Sequence, residues 1–304
     1  MSNYIVFYHF PCHDGELAKI IWELKYNNSD FYPWNHSEIK DNKNIAIDIL
    51  EKELNPRNIV FLDICPRLED LPLYHSYLIL DHHENAITTM KNKMENSTVT
   101  LNIKMNYSFD KSGCMLTWEY CNPNTKYPLV VKHIGNKDIW NFTDVDTEPY
   151  TISYGKHLAR FNKMEYTVDP RDAIIKRLLL SDKYRLHNTF ITRGIDEINK
   201  MKIEASYYFN TRVETTLETT IELDNNTIYK VIDITCSKSN LFKYLIDFAI
   251  ENYDSDVLRI LHTISDNKKV YSMRSLKDHI RVDNIARMYG GNGHPKAAGY
   301  TILI

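Results

Sequence analysis

The chain has 304 residues, 43% of them hydrophobic and 25% charged, which excludes a disordered or low-complexity protein and leaves enough apolar surface for two cores. Its formal net charge of −3 argues against bulk electrostatic capture of long nucleic acid, though a local pocket for one or two phosphates needs no such excess. No apolar run approaches the roughly 18 residues that span a bilayer, and the N-terminus has no basic-then-hydrophobic leader. Five scattered cysteines with no CxxC pair read as reduced thiols, so a cytoplasmic protein is expected.

Residues 4–8 read as a first buried strand. A helix follows over 16–25, with Leu17, Ile20, Ile21 and Leu24 on one face. Two short apolar runs, 59–62 and 77–80, read as strands, and an acid follows each. A further strand is predicted at 99–105, then helices at 112–120 and 129–139. Short strands alternating with helices mark βαβ units. This half is therefore predicted to be α/β, a mainly parallel sheet with helices on both faces. Between 170 and 212 the strand signal stops and the chain reads as helical with mixed charge. Strands return at 219–223, 229–235, 257–264, 270–274 and 300–304, with helices near 241–250 and 282–288. The expected organisation is a first domain over 1–169, a helical linker over 170–215 and a smaller C-terminal α/β domain over 216–304.

Four places in the first domain carry potential ligands. His9-Phe10-Pro11-Cys12-His13-Asp14-Gly15 follows the first strand, and Asp63 follows the run 59–62. Asp81-His82-His83 follows 77–80, and Gly135-Asn136-Lys137-Asp138-Ile139-Trp140 closes the helix from 129. The carboxyl ends of parallel strands lie along one edge, where ligands bind. The architecture thus brings Asp63 and Asp81 near His9 and Asp14 despite their distance in sequence. Imidazoles mixed with several carboxylates suit Mn²⁺ or a similar ion, and one carboxylate can bridge two ions. A single Asp after a strand is more often a turn or cap residue; four such positions in one domain favour the metal. At the other end, Gly290-Gly291-Asn292-Gly293-His294-Pro295-Lys296-Ala297-Ala298-Gly299 offers amides that can face an anion and two charge-capable donors. A plain turn before the last strand fits that segment equally well.

Together these residues resemble the DHH phosphoesterase superfamily with its C-terminal DHH-associated domain, including RecJ-like exonucleases and nanoRNase-like enzymes. The resemblance runs from His9 to Gly299. Cys12 ahead of X-Asp-Gly, Ser112-Gly113-Cys114 with Trp118, and Asn136-Lys137-Asp138-Ile139-Trp140 are similar to the motifs of one subgroup. The resemblance implies two metal positions, one using His9 and Asp63, the other Asp14, His82 and a bridging Asp63. Asn136 or Asp138 would complete the second. Asp81 would support the histidine pair, and His83 would face the scissile phosphate, making His83 and Asp63 the catalytic residues. Arg274, Ser275, Gly291, Gly293 and His294 would bind the substrate phosphate. The implied cofactor is Mn²⁺, one or two ions, with Mg²⁺ or another divalent ion as alternatives. Three positions depart from the family pattern: Cys12 where many relatives carry Asp, Asn136 where the first Asp of the fourth motif stands, and Asn292 for a loop glycine.

The expected activity is metal-dependent hydrolysis of a short oligonucleotide or a cyclic or signalling nucleotide in a cleft between the two domains. A phosphoanhydride hydrolase acting on pyrophosphate or short polyphosphate remains open, as does a degenerate relative that binds nucleotide without turnover. An aromatic platform would favour a nucleotide, since a base stacks on a ring and inorganic phosphate does not. Trp34, Trp140 and Tyr289 are the candidates. The expected partner is a small nucleotide or short oligonucleotide, with no membrane and no long duplex; a homodimer is left open.

Overall fold

The computed structural model describes residues 3–35, 45–53, 55–98, 100–161, 170–181, 184–221, 225–265 and 268–303. The chain divides into two units, Met1–Ile195 and Asp196–Ile304. Among the described residues no helix is long and apolar enough to cross a membrane.

The first unit is built on five parallel strands: β1 (Tyr4–His9), β2 (Ser29–Trp34), β3 (Asn58–Leu62), β4 (Ser76–Asp81) and β5 (Asn102–Tyr107), in the order β2-β1-β3-β4-β5. Its helices are α1 (His13–Lys25), α2 (Ile45–Lys52), α3 (Glu84–Glu95), α4 (Gly113–Cys121), α5 (Leu129–Asp138), α6 (Thr147–Ala159), α7 (Pro170–Leu179) and α8 (Tyr184–Tyr208), the last running across the division between the units. Strands buried on both faces read as unbroken apolar runs, and successive side chains in them point to opposite faces. Val6, Val60, Leu62, Leu78 and Leu80 pack into one core with Leu17, Ile20 and Ile21 of α1, Val130 and Val131 of α5, and residues of α7 and α8. Ile5, Phe7, Ile59, Phe61 and Ile79 pack into a second core with Leu50 of α2 and Ile87 and Met90 of α3. Each such side chain, fully buried, contributes about 1.5–3 kcal/mol. The expected parallel sheet with helices on both faces is the observed one.

The polar and proline-bearing elements differ from expectation. β2 was not anticipated, because Pro33 argues against a strand interior; it lies at the sheet edge, where a missing N–H costs no ladder bond. α2 was not anticipated either. β5 is shifted from the predicted 99–105 to Asn102–Tyr107, and Val99 lies outside the described residues. α1 begins at His13, three residues before the predicted start, with Cys12 as an extended N-cap.

The second unit carries a six-stranded sheet in the order β10-β11-β9-β8-β7-β6. Its elements are β6 (Val213–Ile221), β7 (Asn225–Thr235), α9 (Phe242–Asn252), β8 (Val257–Ser265), β9 (Lys268–Ser275), α10 (Val282–Met288), β10 (Asn292–His294) and β11 (Ala297–Leu303). β7 and β8 are parallel and α9 lies between them in sequence; the other pairs are antiparallel. Val282, Ile285 and Ala286 of α10 pack on Val231, Val257, Met273, Ala298 and Tyr300. Ends of the predicted strands 219–223 and 300–304 lie outside the described residues, at 222–223 and 304.

Phe61 is fully buried at the sheet centre, its ring centroid 5.3 Å from that of Phe7 and 5.8 Å from that of Trp34. Phe61→Ala is expected to lower stability by about 3–5 kcal/mol. A urea unfolding midpoint unchanged from wild type would contradict that placement.

Candidate metal centre

β1 and β3 are neighbours, yet β2 lies beyond β1 on one side and β4 beyond β3 on the other. The chain therefore leaves these two central strands in opposite directions, and a crevice forms beyond their carboxyl ends. His9 is the last residue of β1, and Asp63 follows directly on β3. Asp81 ends β4, with His82 and His83 next along the chain. Asp14 lies in the first turn of α1 and Asp138 is the last residue of α5.

Asp63 is 1% exposed and sits at φ 59°, a left-handed conformation rare for a residue with a side chain. Its amide donates to the Leu80 carbonyl at 2.8 Å, which ties this bend to β4. Its two carboxylate oxygens face different partners. Oδ2 lies 3.2 Å from His9 Nδ1, and Oδ1 lies 3.2 Å from His82 Nε2, which is also 3.0 Å from Asp138 Oδ2. Asp63 Oδ1 and His82 Nε2 are buried and make no aligned hydrogen bond despite this approach.

Two sets of converging donors result. His9, Asp63 and His83 form one; Asp14, Asp63, His82 and Asp138 form the other, and in each set the donor atoms lie within 4.8 Å of one another. Asp63 belongs to both. Asp81 is fully buried and accepts a 2.7 Å hydrogen bond from Nδ1–H of His83, which fixes the orientation of that ring. Asn136 is buried on α5 two residues before Asp138, and its carbonyl accepts from the Asn141 amide at 2.8 Å. The carboxylate that enters the second set from this motif is that of Asp138.

The start of α4 builds the floor. Ser112 Oγ donates to Asp14 Oδ1 at 2.7 Å, and the Cys114 amide reaches both Asp14 oxygens at 3.2 Å. A Cβ on Gly113 would fall 2.4 Å from the Asp63 Cβ, and one on Gly15 would fall 2.1 Å from the His9 carbonyl oxygen. Both glycines are close-approach positions. The sequence flagged Ser112-Gly113-Cys114 as a motif but not its task, which appears only once α4 meets β3.

The electrostatics follow from crowding acids with little water. Burial, then Asp63 and Asp138, push the Asp14 carboxyl well above the usual range, against the hydrogen bonds from Cys114 and Ser112. Burial also opposes the charge on Asp63, but His82 and His9 outweigh it and hold its carboxyl well below the usual range. For His82 burial is likewise overcome, by Asp138 and Asp63, and its pKa is pushed up to about 11. Burial, with Asp63, raises the Cys12 thiol, so Cys12 is neutral beside these acids. A proton on His82 thus partly balances three carboxylates. A divalent cation among the same groups supplies that balance more completely, with imidazole nitrogen and carboxylate oxygen as suitable donors. The residues fit such an ion, and the orphaned Asp63 Oδ1 and His82 Nε2 point to the same conclusion.

In the second unit, Arg274 pairs in register with Ala297, and Ala297 with His294, so Arg274 and His294 share one sheet face across a small residue. Arg274 is half-buried, its Nη1 donates to the Met273 carbonyl at 2.8 Å, and its guanidinium lies 5.9 Å from the Phe242 ring. Burial lowers its pKa. Ser275 Oγ donates to the Lys277 carbonyl. A Cβ at Gly291 would strike the Gly299 carbonyl oxygen at 2.1 Å, and one at Gly293 the Ala298 Cα at 2.4 Å. Packing of β10 on β11 thus accounts for two of the motif's glycines. Of the aromatic candidates, Trp34 is core, Tyr289 stacks on Tyr300 at 4.7 Å, and Trp140 is 76% exposed with Lys137 Nζ 4.4 Å from its ring.

No family model matches the chain. It is 24% identical over 308 residues to the uncharacterized protein R106 of Acanthamoeba polyphaga mimivirus, an alignment covering 97% of this chain and 66% of that protein. The chain therefore spans just under two thirds of that relative's length. Among solved structures it resembles the pGpG-specific phosphodiesterase PggH of Vibrio cholerae, with a TM-score of 0.50 and 11% identity, over 100% of this chain and 93% of that one. An exopolyphosphatase-related protein of Bacteroides fragilis aligns at a TM-score of 0.35 and 12% identity, over 98% and 86% of the two chains. The similarity to the phosphodiesterase is one of fold.

Gly113→Ala tests the floor without altering any donor. The added methyl must displace Asp63 or α4, so metal affinity is expected to fall at least tenfold, with a stability loss of about 1–3 kcal/mol. Mn²⁺ titration calorimetry giving wild-type affinity would show that Gly113 does not set the position of Asp63.

Proposed function

We propose that this chain is a metal-dependent phosphoester hydrolase of the DHH type, acting on a short oligonucleotide or a cyclic or signalling nucleotide. One observation carries the reading: a single buried carboxylate, Asp63, turns one oxygen toward His9 and the other toward His82 and Asp138. A shared carboxylate of this kind suits two adjacent ions. The fold held in common with a phosphodiesterase supports the reading at the level of architecture.

When bound, divalent ions lower the pKa of a water and offset charge on the phosphoryl oxygens. His9 and Asp63 would hold one position, and Asp14, Asp63, His82 and Asp138 the other. Ser112 and the Cys114 amide fix the Asp14 carboxylate so that it need not reorganise. His83 is held by Asp81 through Nδ1, and its ring lies beside that of His9. Burial works against its protonation, but Asp81 outweighs burial and raises its pKa. Asp81 orients the ring, and His83 is assigned to face the leaving oxygen of the scissile phosphate. Arg274, a planar donor suited to bidentate contact with phosphate, is assigned to substrate, with His294 on the same sheet face. Ser275, Gly291 and Gly293 supply the local backbone that presents these two groups.

The test is a hydrolysis assay of Mn²⁺-loaded protein with a 5′-phosphorylated dinucleotide, a cyclic dinucleotide and pyrophosphate. Turnover of a nucleotide diester is expected, with Asp63→Ala reducing it below a tenth of wild type and lowering bound metal. Preference for pyrophosphate would move the assignment to phosphoanhydrides, and tight nucleotide binding with no turnover of any substrate would sink the hydrolase reading.

Arg274→Ala is expected to raise KM about tenfold or more while metal content stays at the wild-type value, consistent with loss of one charged hydrogen bond of about 1.5–3 kcal/mol. Loss of metal in that variant would remove Arg274 from the substrate role.

A further inference from the structure

The first unit holds a cavity of about 630 Å³ that the hydrolytic scheme leaves unused, and one of its lining residues is His83. It lies between the turn after β3 and the first three turns of α3. Leu68, Ala86 and Met90 give it apolar walls. The same His83 stands in the donor set with His9 and Asp63, so the cavity opens alongside the place assigned to the reacting phosphate. We infer that this cavity receives the nucleoside, base and ribose together, of the nucleotide whose phosphate is bound at Asp63. The inference rests on the proposed phosphoester chemistry and adds the place of the nucleoside, which a chain of inorganic phosphates would not fill.

Charge decides between those two occupants. A cavity for a run of phosphates needs cations whose charge is not already spent. Two cationic residues line this one, Arg67 and Lys93. Arg67 makes a two-pronged bond to Asp70, at 2.9 and 3.3 Å, and Lys93 lies 2.7 Å from both Glu69 oxygens. With those charges offset by neighbouring acids, the cavity offers apolar surface and a few neutral polar groups. That is the lining a flat heteroaromatic group takes. Its volume lies within the range of small-ligand sites, about 300–1,000 Å³. Asn85 and Thr89 stand four residues apart on α3 and both line the cavity, with Thr89 Oγ1 donating to the Asn85 carbonyl. The Asn85 amide supplies both a donor and an acceptor for a base edge or a ribose hydroxyl.

Binding measured without turnover tests this. AMP, GMP, CMP, UMP and ribose 5-phosphate are titrated calorimetrically into the full chain loaded with Mn²⁺. At least one nucleoside monophosphate is expected to bind tenfold or more tightly than ribose 5-phosphate. Thr89 is exposed, so Thr89→Trp fills the cavity with little risk to folding. It should erase that advantage to within twofold while leaving metal content unchanged. Asn85→Ala, a second variant that adds no bulk, should weaken the preferred nucleotide three- to tenfold. Ribose 5-phosphate binding as tightly as every nucleotide, or a nucleotide preference untouched by Thr89→Trp, overturns the inference. The two readings fail separately. Protein that binds a nucleotide in this Thr89-sensitive way yet cleaves no phosphoester keeps the cavity and loses the hydrolase. Protein that cleaves bis(p-nitrophenyl) phosphate but ignores the nucleoside keeps the hydrolase and loses the cavity.

Discussion

Everything in the first unit's site depends on holding one carboxylate, Asp63, charged and almost out of water at the bend after β3. A buried carboxylate with no partner costs several kcal/mol even after the protein relaxes. His9 and His82 meet that cost from opposite sides, and the Asp63 amide anchors the bend to β4. The backbone contributes strain of its own, since a left-handed residue with a side chain is disfavoured by about 1–3 kcal/mol. Such strain persists only where surrounding packing over-determines it. Here β3 is the central strand, with Ile59, Val60, Phe61 and Leu62 all buried, and the sheet fixes where Asp63 begins.

Much of this was legible in the sequence because both faces of a parallel sheet are dry. β1, β3 and β4 announce themselves as apolar runs, and the residues just past them are the ones brought together. His9, Asp63, His82 and His83 could be named from that alone, and Asp14 from the motif after β1. What stayed hidden was long-range. Ser112 and Gly113 matter because α4 meets Asp14 and Asp63 in space, and nothing in their neighbourhood along the chain reports that contact. The contact of Asp138 with His82 stayed hidden for the same reason, since helix periodicity does not say which strand end α5 meets.

Glycine is the residue whose task a single sequence leaves open. Gly15, ahead of the predicted start of α1, lies inside the helix and permits it to press against the His9 carbonyl. The C-terminal glycines read equally well as amides facing an anion or as a plain turn before the last strand. They lie in and beside a short strand, and a side chain at Gly291 or Gly293 would collide with β11. Close approach of backbone to backbone and close approach of backbone to phosphate select the same residue, and a single sequence does not separate them. Cross-strand register puts Arg274 and His294 on one face, a proximity that neither neighbourhood along the chain reports.

The neighbouring histidines show how core packing sets the chemistry. His82 turns to Asp63 Oδ1 and Asp138, whereas His83 turns to Asp81 and the His9 side. Adjacent residues thus serve different donor sets because they leave β4 in succession. Which imidazole goes where depends on the register of β4, and that register is held by alternation: Leu78 and Leu80 belong to one core, Tyr77 and Ile79 to the other. A slip of one residue would exchange the two cores' side chains and the two imidazoles together. The apolar residues of β4, none of which touches a ligand, are therefore what assigns His82 and His83 their separate places beside Asp63.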